Sequence, residues 1–457
     1  MLKDKMRWLR ISERLKDEIK QCHYEGKDVS SYADEVAQIL KLEEGPEKER
    51  RSREIYNRLA EAPIMAGYSY IEPETYEEII AVLPKRSEQS YPVDTNRLED
   101  SVRGAWFGRS IGCLLGIPVE TWQREDILNM LKESGQYPLT NYIRSDIEEG
   151  VKTKYHISDK DRNRSYDRKM VCWRNNVTSF PVDDDTNYTI AALRLIEEFG
   201  TEFTSDDVLE TWMMSFPALH ACTAERVAYQ NALNMKFAPI SAAYLNPYRE
   251  WIGAQIRGDF FGYISPGNPR KAAAMAYRDA AVSHTKNGIY GEMYIAALVS
   301  LAAVSKDALE VCRGALLHIP DKSRLFEDVS HVIDMYQRGV SYPDVIEAVH
   351  SKYNQKEWFD WCYVSPNTMI VTAGILFYSY DFGQCIINTV LAGFDTDCNG
   401  ATVGSISGIM QGFKAIDKQW VEGLMPKLNS SIHGYYEMSM EDVVKRTLRQ
   451  IRGGENG

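Results

Sequence analysis

Two rows of four glycines, each stepping by four residues, narrow the folds open to this chain: Gly104, Gly108, Gly112 and Gly116, then Gly400, Gly404, Gly408 and Gly412. In a helix each glycine costs ~1 kcal/mol relative to alanine, so the two rows forfeit on the order of several kcal/mol that another interaction must offset. Residues at i, i+4 and i+8 share one helix face, where glycines leave a flat groove that admits a second backbone. Both rows are therefore expected in the core, beside each other or beside a common helix. The same spacing serves membrane helices, but Arg109 and its polar neighbours interrupt the first row, and no stretch approaches ~20 uninterrupted apolar residues.

Acids crowd next to glycines. Asp183, Asp184 and Asp185 precede Thr186, and Asp395, Thr396, Asp397 and Cys398 lead directly into the second glycine row. Carboxylates ~4 Å apart repel by about 4 kcal/mol at an effective dielectric near 20, so a fold that gathers these acids needs cations. Mg²⁺ suits them, because it is hard, prefers oxygen, and is held by a few carboxylates while substrate oxygens complete its shell. Helix capping is the competing explanation, since Asp and Thr are strong N-cap residues and first-turn carboxylates favour the helix dipole. Capping covers one or two of these residues; a cation site covers all five aspartates. Two helix N-termini aimed at one place would also suit anionic substrate groups once metal charge has offset the carboxylates.

With 457 residues, 44% of them apolar, the chain can bury a large core. A net charge of -12 disfavours a nucleic-acid partner, and the basic run from Lys48 to Arg53 is interleaved with glutamates. Eight cysteines without a CxxC pair match neither a zinc site nor a disulfide framework, and the N-terminal MLKDKMRWLRISERLKDEIK lacks the apolar core of a signal peptide. The expectation is a soluble, cytoplasmic protein with no membrane partner.

Residues 1–97 are charged and helical in period, with Met6, Leu9, Ile11, Leu15, Ile19, Val36, Ile39 and Leu40 recurring mostly at three- and four-residue steps; they read as a helical extension that packs on the main body. Pro92 to Asn96 mark its end, and residues 98–457 form the main domain. That body is mostly α, because convincing period-two strands are scarce. Helices are expected from Leu98 to Leu115, after each aspartate cluster, and around Ala296 to Ala302. The polar stretch from Glu120 to Pro181 reads as a long loop of functional cover.

Four segments in order carry a resemblance: GAWFGRSIGCLLGIPVE (residues 104–120), VDDDTNYTIAAL, GAQIRGDFFGYISPGNPRKAA with AAVSHTKNGIYGEMYIAAL, and AGFDTDCNGATVGSISG. The chain resembles the ADP-ribosylglycohydrolase family, the class that includes the dinitrogenase reductase-activating glycohydrolase, as a divergent member. The resemblance implies an all-α globule with two Mg²⁺ ions at one cleft, cleaving an N- or O-ribosyl bond of an ADP-ribosylated protein or a ribosylated small molecule. By position Asp184 and Asp185 match the first metal motif and Asp395 and Asp397 the last, while Glu120 matches the acid that approaches metals and ribose. Glu120 is then the catalytic carboxylate, assisting leaving-group departure or water attack.

Three positions depart from the family pattern. Asp183 stands where Thr or Ser is usual, Cys398 where Thr is usual, and Cys113 where another acid is common. Asp183 adds a hard ligand and Cys398 a poor one, which brings Mn²⁺ into consideration beside Mg²⁺. The family's Asn-Gly-Ser-Ala-Met-Arg stretch appears here as Ile252 to Arg257. The resemblance makes Gly253, Arg257, His284 and Cys398 substrate-binding candidates, with Arg257 pairing either with a phosphate or with Asp259. Tyr155, Trp173, Tyr263 and Tyr290 are the candidate stacking aromatics. Two alternatives stay open: a hydrolase of a small ribosylated or glycosylated metabolite, and a non-catalytic binding protein that keeps the fold.

Overall fold

The computed structural model of the chain describes residues 6–158, 162–163, 168–169 and 172–453. The fold is all-α. Among the described residues strands are confined to two small sheets. In one, β1 (Arg162–Asn163) pairs antiparallel with β2 (Arg168–Lys169); in the other, β3 (Ser179–Phe180) runs parallel to β4 (Met425–Asn429), which pairs antiparallel with β5 (Glu437–Ser439). No described helix is long and apolar enough to cross a membrane.

The N-terminal helices α1 (Ile11–Tyr24), α2 (Ala33–Leu40) and α3 (Pro46–Ala60) bury Ile11, Leu15, Val36, Ile39, Ile55 and Leu59 in a hydrophobic cluster of their own, which Leu245 of the body joins. Charged groups tie this layer down. The Arg249 guanidinium reaches Glu18 (2.7 Å) and Glu25 (2.8 Å), and that of Arg324 reaches Glu72 (2.6 Å) and Glu250 (2.8 Å), all six of them buried or nearly so. Buried pairs of this kind are costly to break, because removing one partner leaves the other charge without compensation. Tyr24 also stacks on Tyr363 at 4.5 Å and donates to Asp360 (2.7 Å).

Helix α4 (Thr95–Gly116) opens the body; Asp94 caps it by accepting from the Asn96 N–H. The stretch read as a loop from Glu120 to Pro181 differs from that expectation: it holds α5 (Arg124–Glu133) and α6 (Glu149–Lys154). Ile127, Met130 and Leu131 give α5 a buried face of only three residues among charges, too narrow a stripe to stand out as a period. Residues 159–161, 164–167 and 170–171 of that stretch lie outside the described residues. Beyond it come α7 (Asp184–Phe199), α8 (Thr223–Leu233), α9 (Lys286–Ala302), α10 (Val364–Tyr378), α11 (Thr396–Gln411) and α12 (Met440–Ile451). Nearly every residue of α9, α10 and α11 is buried, as is α4 from Gly104 to Gly116, and α11 packs against the other three.

The two glycine rows meet. A Cβ on Gly104 would lie 2.1 Å from the Gly408 carbonyl oxygen, one on Gly108 2.1 Å from that of Gly404, and one on Gly112 1.9 Å from that of Gly400. The register is antiparallel, and the backbones touch where no side chain fits. Close contact along three turns supplies the dispersion that offsets the low helix propensity. The rows are offset by one step, so Gly116 faces Thr396, whose carbonyl oxygen would sit 2.3 Å from a Cβ there. Gly412 lies beyond α11, at φ 91°, where glycine ends the helix in the left-handed region.

Replacing Gly108 or Gly404 with alanine should lower unfolding stability by about 3 kcal/mol or more, since backbone rather than a flexible side chain blocks the added methyl. Gly150→Ala in α6, where the nearest atom is 3.6 Å away, should instead gain up to about 1 kcal/mol. Urea unfolding of the three variants separates the two effects.

Candidate metal centre

The first aspartate cluster is held from three sides. β3 delivers the chain to it, and Asn429 donates to the Phe180 carbonyl (2.6 Å). Asp183 caps α7, its Oδ1 accepting from the Asp185 N–H (3.1 Å). Behind the cap, the Arg109 guanidinium of α4 donates to the Asp185 carbonyl from Nε (3.1 Å) and Nη2 (2.7 Å) and pairs with Asp259 (2.8 Å). One turn further on, Asn187 exchanges hydrogen bonds with Ser431 (2.8 and 2.9 Å).

The second cluster follows a tight turn in which Gly393 (φ 81°) and Phe394 (φ 58°) are both left-handed. A buried phenylalanine rarely adopts that conformation, and such strain persists only where surrounding contacts enforce it. Asn367 of α10 supplies one of those contacts: its Oδ1 accepts from the Asp395 N–H (3.1 Å) and from Asn399 (2.8 Å). Glu120 arrives on the short 3₁₀ turn Ile117–Val119 that follows α4. Because Gly116 rests directly on Thr396, Glu120 is brought beside the start of α11.

The outcome is one cleft of about 740 Å³, open solvent included, lined by Glu120, Asp183, Asp184, Asp395, Asp397, Cys398 and Gly253 among others. Ligand atoms of Cys113, Asp183 and Asp185 lie within 4.8 Å of one another, and so do those of Asp185, Asp397 and Cys398. Asp185 belongs to both sets, which gives two adjoining positions with one carboxylate in common. Both Asp185 oxygens and Asp397 Oδ1 are buried without a hydrogen-bond partner among the described residues. Unpaired buried carboxylate oxygens are costly, and this donor set fits a hard divalent cation.

Electrostatics point the same way. Burial and the neighbouring Asp184 charge push Asp183 up to about 7, and burial lifts Asp395 to about 6. Asp185 and Asp397 are held well above the usual carboxylate range by burial and then by the other acids. Burial likewise raises Glu120, followed by the charges of Asp395, Asp183 and Asp184. The Cys113 and Cys398 thiols are pushed up too, and each donates a hydrogen bond to an aspartate, Cys113 to Asp183 and Cys398 to Asp395. Protonated thiols act here as donors to the carboxylates.

Other expected contacts do not reach the cleft. Arg257 is buried in a salt-bridge network with Glu225 (2.7 Å), Asp279 and Glu292 (3.5 Å), while Asp259, offered as its neighbour, pairs with Arg109. His284 is fully buried, its Nδ1 2.8 Å from Ser283 Oγ. Tyr263 is enclosed against Ser405 (2.6 Å), Tyr290 against the Pro73 carbonyl, Trp173 is buried, and Tyr155 stacks on Trp122 at 6.0 Å. The aromatics that do line the cleft are Trp8, Tyr188, Trp251, Trp358 and Trp361. Glu225 lines it as well, raised by burial to about 7, and fits only because residue 253 is glycine: a Cβ there would fall 2.1 Å from its Oε1. Arg109 was legible as a charge inside a glycine row; nothing local marked Glu225 or the tryptophans.

The sequence profile described as ADP-ribosylglycohydrolase matches residues 94–452. A solved structure titled "ADP-ribosylglycohydrolase-related protein complex" is 17% identical, covers 78% of this chain and 99% of its own, and superposes with a TM-score of 0.43. No curated protein matches the chain.

Raised carboxylates make the metal-free protein sensitive to pH. Asp183 and Asp395 keep protons in the folded state that the unfolded chain has released, so their stabilising contribution is complete below the ordinary value of 3.8 and lost as pH rises through 6 and 7. The chelated protein should therefore melt at falling temperature across that window, and Mg²⁺ should raise the melting temperature most at its alkaline end. Asp185→Asn should remove most of the Mg²⁺ response. Scanning calorimetry with chelator and with Mg²⁺ checks all three statements.

Proposed function

The chain belongs to the ADP-ribosylglycohydrolase family and is a glycosidase-type hydrolase, and from that premise we propose that it cleaves N- or O-ribosyl bonds of ADP-ribosyl or related substrates at the cleft between its two aspartate clusters. The observation that carries this reading is Asp185, which stands in both ligand sets and whose two buried oxygens accept no hydrogen bond among the described residues. Asp183, Asp184, Asp185, Asp395 and Asp397 would hold two divalent ions, which when bound supply Lewis acidity, water activation and a grip on a vicinal diol. The five carboxylates suit a hard, oxygen-seeking divalent ion, Mg²⁺ or Mn²⁺.

Glu120 is the proposed catalytic carboxylate. Lining the cleft beside Asp395 and Asp397, it stands where it would pass a proton to the departing group or take one from the attacking water. On the Glu225 side the buried Tyr188 and Ile256 complete the wall. Gly253 keeps that wall open for Glu225, and Arg257 positions the Glu225 carboxylate. Cys398 orients Asp395 through its S–H. In this reading residues 98–457 are the catalytic domain and residues 1–97 a helical extension. Eight cysteines without a CxxC pair or a disulfide-type spacing support a cytoplasmic setting.

A ribosylated small molecule is a second reading of the substrate. The buried side chains of Tyr188, Trp251 and Trp361 wall the cleft beside the acids, which suits one compact ligand.

Incubation with Mg²⁺ and a panel of ADP-ribosyl-arginine, ADP-ribosyl-serine, nucleosides and simple N-glycosides tests the proposal. Glu120→Gln should lower kcat by roughly 10²-fold or more, and Asp185→Ala should abolish turnover. Equal product release by wild type and Asp185→Ala would refute the mechanism.

A further inference from the structure

Three consecutive carbonyls near the N-terminus are clamped. Arg226 of α8 donates to the Arg7 carbonyl (3.3 Å), Arg14 to that of Trp8 (2.6 Å), and Gln230 of α8 to that of Leu9 (3.3 Å). Arg14 is itself buried and anchored on the Leu245 carbonyl (2.9 Å) and on Gln230 (2.7 Å). Trp8 takes a φ of 67°, rare for a side chain of its size. Two guanidinium groups lie over its ring, Arg7 at 4.0 Å and Arg226 at 4.8 Å. A loose tail makes no such contacts; this segment is placed.

It is placed in the wall of the cleft. Arg7 and Trp8 line the same space as Glu120, Asp184, Asp395 and Asp397, and Arg7 is the one cation lining it among the described residues. Its charge counteracts the upward push on both Glu120 and Cys222, so the guanidinium lies near that side of the cleft. The lining also includes Trp251 and Trp361, 1% and 5% exposed, whose indole N–H groups have no partner among the described residues. A buried donor without an acceptor costs about 1–3 kcal/mol. The cleft thus combines acids, which accept, with an arginine and two indoles, which only donate.

We propose that the N-terminal segment completes the substrate site, Arg7 on its Trp8 platform taking an anionic, oxygen-rich group of the phosphate kind that the substrate carries beyond its ribose. The inference rests on the ribosyl reading above and adds a selectivity to it. A guanidinium planar fork matches phosphate oxygens, and the same charge opposes a cationic leaving group such as guanidinium. Both residues precede the stretch that matches the family profile, residues 94–452, so this selectivity belongs to the extension.

Calorimetric titration of the full-length, Mg²⁺-loaded protein with ribose, ribose 5-phosphate and inorganic phosphate tests it. Wild type should bind ribose 5-phosphate more tightly than ribose. Arg7→Ala should weaken ribose 5-phosphate by roughly tenfold or more and leave ribose unchanged, while Arg7→Lys keeps part of the preference and Arg7→Glu reverses it. Arg7 dependence confined to inorganic phosphate would place the anion on the leaving group and still support the assignment. If Arg7→Ala binds both phosphate probes as wild type does while wild type still binds the sugars, the inference falls and the ribosyl reading stands. If wild type binds neither sugar, both fall.

Discussion

Backbone against backbone, with nothing between, is the contact on which the rest of this molecule depends. Where α4 and α11 cross, carbonyl oxygens of each helix occupy the space that a Cβ of the other would need. The one-step offset of the two glycine rows places Thr396, with an aspartate on either side, against Gly116 at the end of α4. Glu120, four residues on, and the second aspartate cluster therefore meet through main-chain geometry that no rotamer change can relax. Arg109 extends the same helix's influence to the first cluster by holding the Asp185 carbonyl. One helix thus positions Glu120 and both acidic motifs.

Burial of so many acids is a standing electrostatic debt in the metal-free protein. Desolvation is the leading cause of the raised proton affinity at Glu120, Asp183, Asp185, Asp395 and Asp397, and mutual repulsion adds to it at most of them. Arg109 is the compensating cation beside Asp185, but its shorter ion pair goes to Asp259. Elsewhere the chain treats buried charge differently: Arg249, Arg257 and Arg324 are each surrounded by two or more carboxylates. Acids are matched by arginines throughout the core and left short of them at the cleft, which is the distribution a cation site requires.

Much of this was legible in the residues. The spacing of the glycines required close helix approach, the run of aspartates required a cation, and the order of motifs carried the family resemblance. Legibility failed where a residue's partner is distant in sequence. Arg257 reads as a partner of a phosphate or of the nearby Asp259 because Asp279 and Glu292 are brought to it only by folding. Helix α5 was hidden because three apolar residues among charges make too faint a period. The tryptophans of the cleft come from three separate segments, and Trp8 reaches it only through carbonyl clamps supplied by α1 and α8.

Local chemistry decides what can be read along a chain: helix period, glycine cost and the repulsion of adjacent charges all act between near neighbours, so the all-α class and the presence of a metal-type acidic site were determined by the order of residues. Which oxygens share a ligand set, that Asp185 stands in both, and that Arg7 and Trp8 enter the same cleft were decided by tertiary structure alone. The reason is physical. Coordination, desolvation and ion pairing depend on distances of a few ångströms between groups hundreds of residues apart, and only the packing of α4 on α11 and of the extension on the body sets those distances.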